Sequence, residues 1–540
     1  MASFIVGLDY GTQSARGVLV DCASGQIVAC HTQAYRHGVM TETLPNGAKL
    51  PRSWALQNAP DYTEACLEIL TKLGQGRIIE GIGIGFTAST PLPATADGTA
   101  LSVLYPDEKH AYVKLWKHGS AQPWADSINR QGGDFLAPFG GKLSGEWLIA
   151  KAAQVAADAP TIWDKTEKFI EAGDWLVWQL TGQERRSLGL ATYKAQYDPE
   201  TGQYPDGLVP ELLTRLSTPH RVGTSAGKLT KGWQDKTGIL NQPDIAVAVI
   251  DSHVVLPAVG GVTSGCFVGA LGTSAVYLYL NQTARDLPPG IEGMGFDGSM
   301  RDLWCFEAGQ AGFGDTLAWF VNTFPLSGNR DDIAENFRLY NDEASKITPG
   351  SHHVVALDWW NGNRVPHANS ALGGVLMGLR TDTTAADIYR ALLESLCFGA
   401  RSVLELFRAG NFPINRIVLT SGLAQNNPLL VQIMADILNH PVEIPEIDHA
   451  TAVGAAIHGA VAAGIVADYG AGTQKFGAKT CRTVRPDARH SAIYEQLFAQ
   501  YQTMANNPAL HQTLQNIDQI AMSPAINDGN AETGSGTPPS

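Results

Sequence analysis

Short apolar runs open the chain and longer, spaced apolar patterns follow. Phe4-Ile5-Val6 and Val18-Leu19-Val20 flank the stretch Gly7-Leu8-Asp9-Tyr10-Gly11-Thr12-Gln13-Ser14. Residues 4–35 thus read as strands joined by tight turns, residues 21–25 being one polar turn. Helical spacing over residues 60–73 precedes a strand at Gly81-Ile82-Gly83-Ile84-Gly85-Phe86. Strand and helix signals then alternate, which predicts an α/β fold. Residues 196–235, rich in Pro, Gly and polar side chains, predict peripheral loops and short helices. Residues 245–250 are continuously apolar and predict one strand buried on both faces, ending at Asp251-Ser252-His253.

The second half repeats the opening plan. Gly269-Ala270-Leu271-Gly272-Thr273-Ser274 lies between Phe267-Val268 and Val276-Tyr277-Leu278-Tyr279. A long helix is expected over 384–408, with Thr384 and Asp387 spaced as a capping box and Gly410 as its stop. A strand at 416–420, a helix at 428–438 and a close-packing Ala- and Gly-rich helix at 451–465 follow. Apolar periodicity fades beyond about residue 505, and residues 527–540 predict disorder. The division expected is a first lobe over 1–250, a second over 251–500 and a tail over 501–540.

Composition narrows the function. A chain of 540 residues with 44% hydrophobic content suits two large domains. A net charge of −14 argues against nucleic acid and anionic membranes as main partners. It leaves room for a nucleotide held by backbone amides and a metal ion. The seven cysteines are scattered without a C-x-x-C pair, as expected of reduced thiols in a cytoplasmic protein. Neither a signal peptide nor a membrane-spanning run is recognisable in the sequence.

Candidate chemistry gathers at the two Gly-Thr turns. Glycine lets backbone approach phosphate oxygens, and Thr12, Ser14, Thr273 and Ser274 add hydroxyl donors. Asp9, at a strand end, could hold Mg²⁺ directly or through water. Asp251 follows an apolar strand, where open α/β sheets place ligands, and could take a proton from an attacking hydroxyl. An ordinary polar turn and a helix cap are the plain alternatives. Thr420-Ser421-Gly422-Leu423-Ala424-Gln425-Asn426 suits a flat ring or sugar close to backbone, or is a simple strand-to-helix turn. Trp116-Lys117-His118, Lys194 and Glu307-Ala308-Gly309-Gln310 are polar clusters able to read hydroxyls, or ordinary structural polar residues. His352-His353 reads as a surface pair without metal-ligand partners. The P-loop signature is absent.

Several ordered stretches resemble the FGGY family of carbohydrate kinases, from about residue 4 to about 500. They include Gly7-Leu8-Asp9-Tyr10-Gly11-Thr12, Phe86-Thr87-Ala88-Ser89-Thr90-Pro91, Leu115-Trp116-Lys117-His118 and Gly140-Gly141-Lys142-Leu143-Ser144-Gly145-Glu146-Trp147. Further on come Glu307-Ala308-Gly309-Gln310 and Phe313-Gly314-Asp315, then Leu357-Asp358-Trp359-Trp360-Asn361-Gly362-Asn363-Arg364-Val365-Pro366. The last is similar to a segment of ribulokinases, and residues 374–394 approximate the family's C-terminal signature with Leu392 as a departure. Gly85 stands where many members carry Asp, and Ser421 where the usual adenosine turn begins Gly-Gly.

The resemblance implies two actin-like (ribonuclease H-like) lobes with an ATP cleft between them. It implies Asp251 as catalytic base and Asp9 at the Mg²⁺–phosphate end, with both carboxylates available to the metal. Gly11, Thr12, Gln13 and Ser14 would meet phosphates from one lobe, and Gly272, Thr273 and Ser274 from the other. Gly422, Ala424 and Asn426 would line the nucleotide pocket, while Ala88, Lys194, Asp251 and Glu307 would contact a ketopentose. L-Ribulose, phosphorylated to L-ribulose 5-phosphate in arabinose catabolism, is the leading substrate. D-Ribulose, xylulose or ribitol is the alternative, and a non-kinase actin-like ATPase switch is the alternative of another class. A homodimer is left open.

Overall fold

The computed structural model describes residues 2–288 and 290–521. Its first sheet begins with an antiparallel meander of β1 (Ser3–Tyr10), β2 (Ser14–Asp21) and β3 (Ile27–Ala34). Helix α1 (Ala59–Gly74) returns the chain to β4 (Ile78–Phe86), which pairs parallel with β1. Strands β5 (Ser225–Lys228), β6 (Asp244–Ala246) and β7 (Val249–Ile250) complete seven strands in the order β5-β6-β4-β1-β2-β3, with β7 also on β4.

The second sheet repeats this plan. The hairpin of β8 (Cys266–Leu271) and β9 (Ala275–Asn281) stands for β1 and β2. Strand β10 (Gly293–Phe296) is an addition, and β11 (Trp304–Gln310) takes the place of β3. Helix α2 (Ala385–Ala409) leads to β12 (Arg416–Thr420), parallel to β8 as β4 is to β1. Helix α3 (Pro428–Leu438), β13 (Val442–Glu446), helix α4 (Ala450–Ala462) and β14 (Thr480–Val484) follow. The strand order is β10-β11-β9-β8-β12-β13-β14. The echo seen in the two Gly-Thr turns therefore extends to strand order and direction.

The two sheets share α4. Its small residues lie against glycines of β1 and β4 in the first lobe, while its neighbours Val255, Leu256 and Val268 belong to the second. A Cβ on Gly7 would sit 1.8 Å from the Ala452 carbonyl oxygen, and one on Gly83 1.7 Å from that of Ala455. This explains two sequence patterns at once. The alternating glycines of β4 and the Ala/Gly composition of α4 are the two sides of a single backbone-to-backbone contact. No larger side chain fits there, because protein interiors leave no slack at that scale.

Several expectations hold in detail. Thr384 and Asp387 form the capping box of α2, and Gly410 ends it. All seven cysteines are free. No helix among the described residues is long and apolar enough to cross a membrane.

Four readings are corrected. Residues 245–250 are not one strand: β6 pairs with Gly81 and Ile82, and β7 with Gly85 and Phe86. One extra residue bulges between them, and the Val247 N–H turns away to the Thr224 carbonyl at 3.0 Å. Within 196–235, Ser225–Lys228 is an edge strand of the main sheet rather than loop. Beyond residue 505 a further helix, Pro508–Ala521, starts where Asn507 accepts from the N–H groups of Ala509 and Leu510, and seats Leu510 and Leu514 on the second lobe's core. Leu510, Leu514, Ile517 and Ile520 do recur at helical spacing, a pattern that sequence reasoning missed, although Ile517 and Ile520 remain exposed. His352 is buried against Glu394 at 3.1 Å, so only His353 of that pair lies at the surface. Residues 527–540 lie outside the described residues.

Candidate active site

Three parallel strands of the first lobe end side by side, and each end carries a residue singled out from the sequence. In register, Asp9 lies beside Gly85 and Tyr10 beside Phe86, while Val249 and Ile250 flank the same two residues from the other side. Asp9 therefore stands next to last in β1, Ala88 follows β4, and Asp251 follows β7. This is the carboxyl end of the sheet, where open α/β folds take ligands. Gly85, the departure noted in sequence, has a steric reason here: its Cβ would meet Val254 Cγ1 at 2.8 Å, in the short helix Asp251–Val254.

The two carboxylates are electrostatically strained. Burial pushes Asp251 up to about 7, nearby Asp9 pushes the same way, and the Ser252 N–H (2.7 Å) and Lys194 pull against them. Burial also raises Asp9, opposed by a 2.6 Å hydrogen bond from Thr451 Oγ1 and by the charges of Arg16 and His449. Thr451 lies in the first turn of α4, so the positive end of that helix faces Asp9. Two desolvated oxygen donors that disfavour each other's charge suit a hard divalent cation. No group of three or more His, Cys, Asp or Glu side chains forms a preassembled metal site among the described residues.

The phosphate-type turns crown both hairpins, with different loop lengths. Gly11 N–H donates to Ser14 O at 3.0 Å, leaving Thr12 and Gln13 at the tip. Gly272 N–H donates to Ser274 O at 2.9 Å, leaving Thr273. The first turn is braced by Trp116 Nε1 on Thr12 Oγ1 (3.1 Å), Gln57 Nε2 on Thr12 O (2.7 Å) and Tyr35 OH on Gly11 O (2.9 Å). The second is braced from its own lobe by the N–H groups of Gly314 and Asp315. Ser421, at φ +98°, donates its hydroxyl to Leu271 O and so ties the next strand end to this turn. Gly422 and Asn426 are exposed on the short helix that follows, and Ala424 is buried beneath them.

Lys194 and Glu307 meet across the lobes. Lys194 closes the helix Leu188–Ala195, whose Gly189 abuts Gly298 of the second lobe so closely that a Cβ would reach the Gly298 oxygen at 2.0 Å. Its Nζ lies 3.5 Å from Glu307 Oε1 on β11. The other Glu307 oxygen meets His253 Nε2 at 3.2 Å, and His253 Nδ1 meets Ser299 Oγ at 2.6 Å. Burial alone would raise Glu307, but Lys194, His253 and Arg364 outweigh it and hold the carboxyl well below its usual range. Asp251, Lys194 and Glu307 thus form one charged series, with Asp9 at one end. Ala88 lies in the adjoining turn, which buried Lys151 braces by donating to Ser89 O at 2.6 Å.

Sequence reasoning did not single out Thr451, His253 or Lys151. His253 could have been flagged by its place two residues after Asp251. Thr451 and Lys151 carry no local signal, because their partners are 442 and 62 residues away.

The comparisons with known proteins agree with this architecture. The C-terminal domain of the FGGY family of carbohydrate kinases matches residues 268–463. A ribulokinase of Halalkalibacterium halodurans is 37% identical over 93% of this chain and 94% of its own. A ribulokinase of Mycolicibacterium smegmatis is 36% identical over 94% of this chain and 95% of its own. Among solved structures, xylulose kinase from Rhodospirillum rubrum has a TM-score of 0.80 at 20% identity, covering 94% of this chain and all of the other. Plasmodium falciparum glycerol kinase with ADP has a TM-score of 0.77 at 15% identity, covering 94% and 99%. These structural likenesses show the fold.

Proposed function

We propose, since this chain belongs to the FGGY family of carbohydrate kinases, that it transfers the γ-phosphate of ATP to the terminal hydroxyl of a ketopentose. L-Ribulose is the acceptor and L-ribulose 5-phosphate the product, the reading supported by ribulokinases being the curated relatives at this identity and coverage. The observation that carries the chemistry is Asp251, at a strand end beside Asp9 and within the field of Lys194 and Glu307.

In this reading Asp251 accepts the proton of the attacking hydroxyl. A carboxylate raised to about 7 is a stronger base than an ordinary one and still ionises near neutrality. Lys194 and Glu307 hold the sugar's other hydroxyls, with Ala88 as the small wall beside them. Gly11, Thr12, Gln13 and Ser14 from one lobe and Gly272, Thr273 and Ser274 from the other offer N–H and hydroxyl donors to the phosphates. Gly422, Ala424 and Asn426 bed the nucleoside. Mg²⁺, held through Asp9 and Asp251, would supply charge neutralisation at the phosphates. Positioning and electrostatics supply the rate, as phosphoryl transfer asks little covalent work of a protein. The reading places the protein in arabinose catabolism in the cytoplasm.

The test is ADP release with L-ribulose, D-ribulose, either xylulose, ribitol or no acceptor. The expected result is the highest kcat/KM for L-ribulose. A higher value for another sugar reassigns the acceptor, and ATP turnover indifferent to every sugar points to an ATPase switch.

A further inference from the structure

The stretches around Glu146 and Arg364 carry conspicuous motifs to which the proposed chemistry gives no task. The structure brings them together across the cleft. Arg364 Nη2 donates to the Glu146 carboxylate at 3.3 and 3.4 Å, although 218 residues and a change of lobe separate them. Its Nε lies 4.0 Å from Glu292 Oε1, and its charge also acts on Glu307. The cluster therefore adjoins the sugar-binding pair. It acts on Glu307, which in turn acts on Asp251.

The loop that bears Arg364 is rigidly tied to the strand that bears Glu307. Gln310, on that strand, donates to Asp358 Oδ2 at 2.6 Å and receives Tyr277 OH at 2.5 Å. Tyr501 OH holds the other Asp358 oxygen at 2.6 Å. Between Glu307 and Gln310, Gly309 leaves the space the cluster needs: a Cβ there would lie 3.0 Å from Glu292 Oε2 and 3.4 Å from Arg364 Nη1. Each residue of the Glu-Ala-Gly-Gln motif thus has a part. Glu307 reaches the site, Ala308 is core, Gly309 makes room and Gln310 anchors the Arg364 loop.

We infer that Arg364 is a positioning residue for the sugar, clasping Glu146 of the first lobe and Glu292 of its own so that Glu307 is aimed and the two lobes are tied together around the acceptor. A planar guanidinium suits this task because it can serve two carboxylates at fixed angles, which an ammonium cannot. The inference rests on the proposed kinase reading and adds to it a determinant of sugar affinity that does not touch the nucleotide turns.

The test uses the full chain with L-ribulose and ATP. R364M is expected to raise the KM for the sugar about tenfold or more, the size of one lost hydrogen bond to a charged group, with the KM for ATP within twofold of wild type. R364K recovers part of the loss. E146Q moves the same parameter, and the double variant R364M/E146Q adds less than the sum of the two, as coupled partners do. A sugar KM left within twofold in R364M, or equal changes in the sugar and ATP constants, overturns the inference. If R364M does not fold, R364K and E146Q carry the same comparison. Wild-type protein that phosphorylates no ketose or pentitol fails the kinase reading itself, and the clasp falls with it. An active wild type with unchanged variants fails the clasp alone.

Discussion

Lys194 and Glu307 face each other from different lobes, Nζ to Oε1 at 3.5 Å, and the Glu307 carboxylate is shared with buried His253. Each half of the molecule thus contributes one member of a charged pair that a sugar hydroxyl could bridge. Glu307→Gln keeps the shape and removes the charge. The expected loss in kcat/KM for the sugar is about 10- to 100-fold, the range for hydrogen bonds to charged groups. Steady-state kinetics at saturating ATP measure it, and activity within twofold of wild type would remove Glu307 from the site.

Asp251→Asn should lower turnover by about 10²- to 10⁴-fold, the usual worth of a positioned base. The same change should stabilise the protein without ligands. Asp251 is raised to about 7 in the fold against an ordinary 3.8, so the folded state binds the extra proton between those values and loses stability as pH rises through them. Above pH 7 the buried charge is present and unfavourable. At pH 8, Asp251→Asn without nucleotide is therefore expected to melt a few degrees higher, a solvent-screened part of the roughly 4 kcal/mol that raising Asp251 from 3.8 to about 7 represents. A lower melting temperature would contradict the electrostatic account.

The pH profile follows from the same group. A base must be ionised to act, so kcat/KM for the sugar should climb as pH rises through about 7 and level off above it. Divalent cation bound beside Asp9 and Asp251 favours the ionised form, so raising its concentration should move the climb to lower pH. A profile flat from pH 5.5 to 8.5 would exclude Asp251 as the titrating base.

The glycine contact between β4 and α4 gives a stability prediction. Gly83→Ala places a methyl 1.7 Å from the Ala455 carbonyl, which forces backbone to move. A loss of about 3 kcal/mol or more is expected, at or beyond the upper end of core overpacking, read as an earlier midpoint in urea. Gly232→Ala is the control, since a Cβ there meets nothing within 4 Å.

Much of this was legible in the chain. The two hairpins and the capped helix over 385–409 rest on local patterns: apolar runs, capping spacing, Gly-Thr turns. What escaped depends on partners far away in sequence. The bulge that splits β6 from β7 arises because Thr224 captures the Val247 N–H. His352 is internal because it meets the second oxygen of buried Glu394, whose first oxygen is held by Arg390 and Tyr494. Arg364 and Glu146 stand in recognisable motifs, yet only the three-dimensional arrangement shows that they meet.

Helix α4 belongs to the second half of the chain and is seated on the sheet of the first. The halves are therefore not modules that can be parted or exchanged. A fragment ending near residue 250 would carry a sheet face of bare glycines with no cover, and the complementary fragment would keep α4 against its own sheet but leave bare the small-residue face that packs on β1 and β4. Fragment complementation, graft chimaeras between relatives and truncations for crystallisation should all keep residues 450–462 with the first sheet. A duplicated architecture has in this way become an indivisible one.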